Sequence, residues 1–297
     1  VGQVCVVGSI NLDLMVHIRH SPQVGETLLA ESTHRLPGGK GFNQAVAATR
    51  SGATTRFCGR VGDDGDGAYL RAALVEAGLD ASHLTVDESE LTGFAHVAIL
   101  PGSGNSIIVS PGANSALSAA PAVEAVEAQE TPAVVLVQLE IPSATAEAAL
   151  AAGRRLGAVT ILNAAPPAGV TDSMLSQVDI LIVNETEADA LGGVDRMLGT
   201  DDGPGSVIVT LGSEGSLWVT RDGMRVDVRS FSVDAVDTTG AGDAFCGAFA
   251  AAISSGLDIP AAMQRASAAG AIVATQLGAQ TTELSPEAID RLVATRT

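Results

Sequence analysis

AVVLVQL at residues 133–139, SATAEAALAAGRRL at 143–156 and VTIL at 159–162 decide the fold. The two outer runs are short and almost continuously apolar, as expected of strands buried on both faces of a parallel sheet. The stretch between them is Ala-rich, with apolar residues at helical spacing, so it reads as the crossover helix of a strand–helix–strand unit. Similar apolar runs stand at 4–7, 180–183 and 207–210. The tail reads as helices over 243–254, 260–274 and 286–294, separated by Gly256, Asp258 and Gly278. This alternation predicts an α/β chain with a three-layer α/β/α core and a mainly parallel central sheet.

Two regions break the rhythm. Residues 12–18 and 27–32 alternate apolar and polar side chains and are joined by a turn at Pro22 and Gly25. Residues 94–100 and 106–110 do the same across the turn at 101–104. Both read as hairpins with one wet face. They are either ordinary edge hairpins or a small β-sheet lid that excludes water from a site. Residues 192–205, crowded with Gly and Asp, read as a loop. With no repeat and no linker, 1–297 reads as one domain, in which 12–36 and 92–110 would be the inserted lid on the second of those readings.

Composition narrows the function. The 297 residues are 46% hydrophobic and 17% charged, which excludes a disordered or low-complexity chain. No apolar stretch reaches the ~18 residues of a membrane span. Val1 to Ile10 lacks a basic leader and reads as a first strand rather than a signal peptide. A net charge of −18 argues against nucleic-acid and membrane partners. Cys5, Cys58 and Cys246 are scattered and apolar-flanked, reading as buried reduced thiols and a cytoplasmic location. Among the 16 bases the one lysine is Lys40, inside Pro37-Gly38-Gly39-Lys40-Gly41.

Five motifs carry candidate chemistry. Asp237-Thr238-Thr239-Gly240-Ala241-Gly242-Asp243 runs straight into a helical segment. Its glycines let backbone N–H groups converge where the helix dipole favours an anion, which makes a phosphate cradle. Asp243 there is either a helix cap or a general base beside a transferring phosphoryl group. Asp237 either binds a cation or braces the loop. Gly38-Gly39-Lys40-Gly41-Phe42-Asn43-Gln44-Ala45 leads into a helix expected over 45–50, with Lys40 and Asn43 as donors. A plain loop with a surface lysine is the alternative. Gly8-Ser9-Ile10-Asn11-Leu12-Asp13 follows the first strand, where open α/β sheets bind ligands. Asn11 and Asp13, two apart in extended chain, share a face and suit vicinal sugar hydroxyls, unless they merely form a turn. Asn184-Glu185-Thr186-Glu187 is either an acidic first helical turn or a carboxylate that orders waters around Mg²⁺. Thr210 and Gly212, after another strand, are candidates for nucleotide phosphates, and Glu140 ends the 133–139 strand facing the same crevice. Neither G-x-x-x-x-G-K-[ST] nor G-x-G-x-x-G occurs, which disfavours Walker-type NTPases and nicotinamide-dependent oxidoreductases.

In their order along the chain, Asn-x-Asp, Gly-Gly-Lys-Gly-x-Asn, Asn-x-x-Glu and Asp-Thr-x-Gly-Ala-Gly-Asp resemble the set found in the ribokinase-like (PfkB-type) carbohydrate kinase family. The resemblance runs from Val4 to about Thr282 and is nearest to the ribokinase branch. It implies an α/β body with a β-sheet lid and ATP-dependent phosphorylation of a sugar's primary hydroxyl, D-ribose first. Asp243 would be the base, with the Gly240, Ala241 and Gly242 amides as the anion hole. Asn11, Asp13, Gly39, Lys40, Asn43 and Glu140 would hold the sugar. Asn184, Thr210 and Gly212 would contact ATP phosphates, and Glu187 would order hydrated Mg²⁺. Asp237, Thr239, Val273, Gln276, Gly278 and Thr282 match positions for an activating K⁺. A homodimer through the lid is also implied.

Two departures stand out. The stretch from Asn184 to Thr210 is shorter than the family's usual, with the loop at 192–205 in place of a helix. Phe42 occupies a position where small residues are common, and so is expected to reshape the contact between lid and sugar. Other acceptors stay open, namely fructose, deoxyribose or an adenosine-like nucleoside, as does a catalytically silent sugar-binding regulator.

Overall fold

The computed structural model describes residues 2–101, 105–128, 133–199 and 202–296. Its centre is a nine-stranded sheet. In chain order its members are β1 (Gln3–Val7), β4 (Thr54–Gly62), β5 (Asp80–Asp87), β8 (Val134–Gln138), β9 (Val159–Asn163), β10 (Ile180–Asn184), β11 (Ser206–Thr210), β12 (Ser216–Thr220) and β13 (Arg225–Val228). Their spatial order is β13-β12-β11-β10-β9-β8-β1-β4-β5. Pairing is parallel from β11 through to β5, and antiparallel only where β12 and β13 close one edge. The chain winds one way from β1 to β4 and β5, and the other way from β8 outward. The switch point therefore lies between β1 and β8, where such sheets open a crevice at the strands' C-terminal ends.

Both faces of this sheet are buried, which is why the strands read as unbroken apolar runs. Along β1, Val4 and Val6 point into one core while Cys5 and Val7 point into the other. The first core is closed by α1 (Lys40–Arg50), α2 (Gly65–Glu76), α8 (Ala241–Ser254) and α9 (Ile259–Ala274), with α10 (Pro286–Ala294) against α9. The second is closed by α3 (Ala119–Glu127), α4 (Ser143–Arg155), α5 (Asp172–Leu175), α6 (Glu185–Ala190) and α7 (Val194–Leu198). Cys5, Cys58 and Cys246 are all buried and free of disulfides. Burial pushes the Cys58 thiol up to about 12.

A second, four-stranded sheet has the order β3-β2-β6-β7, from β2 (Asn11–His17), β3 (Ser32–Gly38), β6 (Gly93–Ile99) and β7 (Asn105–Ser110). The two expected hairpins exist and are joined by parallel pairing of β2 with β6, Asn11 opposite Gly93. The first hairpin differs from expectation: the partner of β2 is 32–38, with His17 opposite Ser32 and Asn11 opposite Gly38. Residues 27–30 form no strand. Ser32 to Arg35 are exposed on the sheet's edge, so their polar run hid the strand. The expected turn at 102–104 lies outside the described residues.

Three further expectations are corrected. Helix α1 begins at Lys40, five residues before the expected start, because Gly41 and Asn43, poor helix formers, are carried in its first turn. The expected loop at 192–205 contains α7, whose Met197 and Leu198 pack into the second core. Phe42 is fully buried against Phe57, with ring centroids 6.0 Å apart, so it fills the core beneath α1 and does not reshape the lid.

Candidate active site

Glycines at the switch point bring backbone segments closer than any side chain allows. Gly39 has φ +90°, and a Cβ there would lie 2.8 Å from the Asn11 nitrogen. On Gly41 a Cβ would lie 2.6 Å from the Gly8 backbone. The start of α1 is thus pressed onto the end of β1, and the Phe42 N–H donates to the Ser9 carbonyl at 2.9 Å. Ser9 Oγ donates to Glu140 Oε2 at 2.6 Å, and the Lys40 N–H reaches the same oxygen at 3.2 Å. Glu140 is therefore anchored between the β1 loop and the α1 N-terminus.

Helix α8 is aligned by the same device. A Cβ on Gly247 would lie 2.3 Å from the Gln44 carbonyl, so α1 and α8 cross almost backbone to backbone. Asp243 is one turn before that crossing. Its Oδ2 accepts from Asn43 Nδ2 and its Oδ1 from Gln44 Nε2, both at 3.0 Å. Asn43 Oδ1 in turn accepts from Gln280 Nε2 at 2.9 Å. The cap reading of Asp243 is excluded, because the N-cap of α8 is Gly240, in left-handed backbone at φ 77°.

One cleft is lined by Lys40, Asn184, Glu187, Thr210, Gly240, Gly242 and Asp243, together with Asn163 and Cys246. Residues from six different segments meet there, all at C-terminal strand ends or helix starts. Burial alone would lower the Lys40 ammonium, but the carboxylates of Asp243, Glu140 and Glu187 outweigh it and hold it above its ordinary value. Glu187 is raised by burial, against an amide bond from Asn184 and the charge of Lys40. Asn184 and Glu187 form a capping box: Asn184 Oδ1 accepts the Glu187 N–H, and Glu187 Oε2 accepts the Asn184 N–H, both at 2.8 Å. The acidic-turn reading is thus correct for α6, and the same two side chains also border the cleft.

Asn11 and Asp13 share a face of β2, as their spacing requires. Asn11 Oδ1 accepts from the buried Asn114 Nδ2 at 2.7 Å. Burial pushes the Asp13 carboxyl up to about 7, with the charges of Glu140 and Asp243 adding to the rise. Its Oδ1 is buried with no hydrogen-bond partner among the described residues.

Two predicted residues stand apart. The Ala241 N–H donates to the Thr238 carbonyl at 3.2 Å, whereas Gly240 and Gly242 line the cleft. Gly212, exposed at φ 55° in a single 3-10 turn, is not part of the cleft lining. Of the K⁺ candidates, Asp237, Thr239 and Gly278 are joined by hydrogen bonds. Asp237 Oδ1 accepts the Thr239 N–H and Oδ2 the Gly278 N–H, each at 2.9 Å. The Val273 carbonyl accepts the Gln276 N–H at 3.1 Å, and Thr282 is exposed nearby in sequence. Sequence reasoning missed Ser9, Gln44, Asn114, Gln138, Asn163 and Gln280. Gln44 and Gln138 sat inside quoted motifs, yet amides in apolar runs carry no local sign of their partners.

The family model described as pfkB family carbohydrate kinase matches residues 1–286, and the chain belongs to that family. It is accordingly a phosphotransferase with an alcohol group as acceptor. A ribokinase from Haemophilus influenzae is 37% identical over 286 residues, covering 93% of both chains. A deoxyribokinase from Salmonella typhi is 34% identical over 296 residues, covering 96% of both. The solved structure of Arabidopsis thaliana ribokinase complexed with ribose and ATP superposes with a TM-score of 0.85 at 30% identity, covering 98% of both chains.

Proposed function

We propose that this protein transfers the γ-phosphoryl group of ATP to the primary hydroxyl of D-ribose, giving ribose 5-phosphate. The observation that carries the reading is Asp243. It stands in the first turn of α8, leaves the cap to Gly240, and is held by two amide donors at the edge of a cleft with Lys40 and Glu187. As the sugar oxygen attacks the γ-phosphorus, its proton passes to the Asp243 carboxylate and the bond from phosphorus to the leaving ADP oxygen breaks. The Gly240 and Gly242 amides and the helix N-terminus meet the negative charge of the transferring group, an effect worth roughly 3 kcal/mol per donor.

The sugar lies along Asn11, Asp13, Gly39, Lys40, Asn43 and Glu140. Asn11 donates, whereas Asp13 and Glu140 accept, a pairing that suits neighbouring hydroxyls. Asn184 and Thr210, which line the cleft, take the nucleotide phosphates, with Gly212 two residues beyond Thr210 as a further backbone contact. Mg²⁺ fits at Glu187, a hard oxygen ligand bordering the cleft, held through water; when bound it neutralises charge on the phosphates. K⁺ fits the oxygen-rich loop of Asp237 and Thr239 with the 273–282 segment; it would stiffen the strand of chain that carries Gly240. The four-stranded sheet serves as a lid. Its edge strand β7 exposes Ile107 and Ile108, which supports a homodimer through the lid.

A substrate panel with coupled ADP detection tests this, run with D-ribose, 2-deoxy-D-ribose, D-fructose and adenosine in Mg²⁺, with and without K⁺. The expected result is the highest kcat/KM for D-ribose and a gain with K⁺. The 34% identity to a deoxyribokinase makes 2-deoxy-D-ribose the second reading. Calorimetric sugar binding without ADP release from any acceptor would overturn the kinase reading in favour of a silent binder.

A further inference from the structure

Behind Asp243 lies a set of polar side chains that contact with solvent does not explain. Gln44 on α1 and Gln138 at the end of β8 are fully buried, and Asn163 at the end of β9 is 8% exposed. Their directions follow from Asp243. An ionised carboxylate only accepts, so Gln44 turns its NH₂ to Oδ1. That NH₂ also donates to Asn163 Oδ1 at 3.0 Å, which turns the Asn163 amide to donate to the Ile182 carbonyl at 3.2 Å. The Gln44 Oε1 then faces the opposite way and accepts from Gln138 Nε2 at 2.6 Å. Reversing Gln44 or Gln138 sets like groups face to face.

The chain of amides carries a cost. Gln138 Oε1 is buried with no hydrogen-bond partner among the described residues. It sits in space that only a glycine leaves, since a Cβ on Gly8 would lie 1.9 Å from it. An apolar residue at 138 would avoid the unpaired oxygen. What the amide adds there is a donor aimed at Gln44.

We infer that Gln44, held by Gln138 and Asn163, is a positioning residue for phosphoryl transfer. It fixes the Oδ1 edge of Asp243 from the interior while Asn43 fixes the Oδ2 edge, so the remaining lone pairs face the acceptor hydroxyl. This rests on Asp243 being the base. Positioning of this kind enters the rate of the chemical step and leaves ground-state sugar binding alone.

The experiment compares the parent with Gln44→Met, Gln138→Met and the double variant. It uses steady-state kinetics on D-ribose, sugar affinity by calorimetry, and crystal structures. For Gln44→Met, kcat is expected to fall about 30-fold with KM and sugar Kd within about twofold. Gln138→Met is expected to lower kcat about fivefold, and the double variant no further than Gln44→Met alone, because both act through one contact. The Gln44→Met structure is expected to show Asp243 spread over more than one rotamer. A kcat within twofold of the parent overturns the inference, as does a loss carried by KM, or a double variant equal to the product of the singles. Should Gln44→Met fail to fold, the kcat of Gln138→Met decides. If the parent itself released no ADP from any acceptor, the base reading would have failed, and the Asp243 rotamer would still decide whether Gln44 positions it.

Discussion

Replacing Asp243 by Asn tests the site at its centre. The carboxylate accepts one hydrogen bond on each oxygen, from Asn43 Nδ2 and Gln44 Nε2, both at 3.0 Å. An Asn side chain has one oxygen and one NH₂. Whichever way it turns, its NH₂ meets a donor, so one of the two bonds becomes a repulsive contact. The substitution thus removes the proton acceptor and also loosens its alignment. General base catalysis is worth about 10²–10⁴-fold, so kcat is expected to drop about 10³-fold, roughly 4 kcal/mol of barrier. Sugar binding, proposed to depend mostly on Asn11, Asp13, Glu140 and Lys40, is expected to stay within about threefold of the parent. Coupled ADP release gives the rate, isothermal titration the affinity, and circular dichroism verifies the fold. A variant that turned over within tenfold of the parent would refute the assignment of Asp243 as the base.

Lys40 faces the carboxylates of Asp243, Glu140 and Glu187 and is expected to hold the sugar, so Lys40→Ala should raise sugar KM more than it lowers kcat; a pure kcat loss in steady-state kinetics would place Lys40 on the phosphoryl group instead. Asp13 titrates at about 7 in the folded chain against 3.8 as a free group, so across that window the folded state holds a proton the unfolded chain has lost, and stability falls as pH rises. Asp13→Asn is therefore expected to stabilise the chain by up to roughly 4 kcal/mol at about pH 8 and by less than half of that at about pH 5; calorimetry showing the same gain at both would contradict it. Gly41→Ala would gain up to ~1 kcal/mol of helix propensity, yet its Cβ falls 2.6 Å from the Gly8 backbone, so a net loss of about 1–3 kcal/mol is expected in urea unfolding; equal or higher stability would show that the close approach is not tight.

Much of this was legible in the sequence because the signals were local. Five strands buried on both faces showed as apolar runs, and the structure places them at 3–7, 134–138, 159–163, 180–184 and 206–210. The glycine motifs announced themselves by composition, since backbone approach and left-handed φ need glycine wherever they occur. Other elements escaped for equally local reasons. Strands β4 and β5 carry Arg56, Arg60, Asp80 and Asp87 among their apolar residues, which broke the run. Helix α7 was masked by the glycines on either side of it.

The sequence by itself determined the layer architecture, the positions of the glycine motif ahead of α8 and of Asn-x-Asp on β2, and the family. These depend on periodicity and on residues close together in the chain. Only the tertiary structure decided that Asp243 is held by side chains two hundred positions away, that the Ala241 N–H meets the Thr238 carbonyl, and that Phe42 belongs to the core. Such facts are set by where two helices cross and by which buried amide meets which carboxylate. A hydrogen bond between distant residues leaves no pattern in either segment until packing has fixed the distance between them.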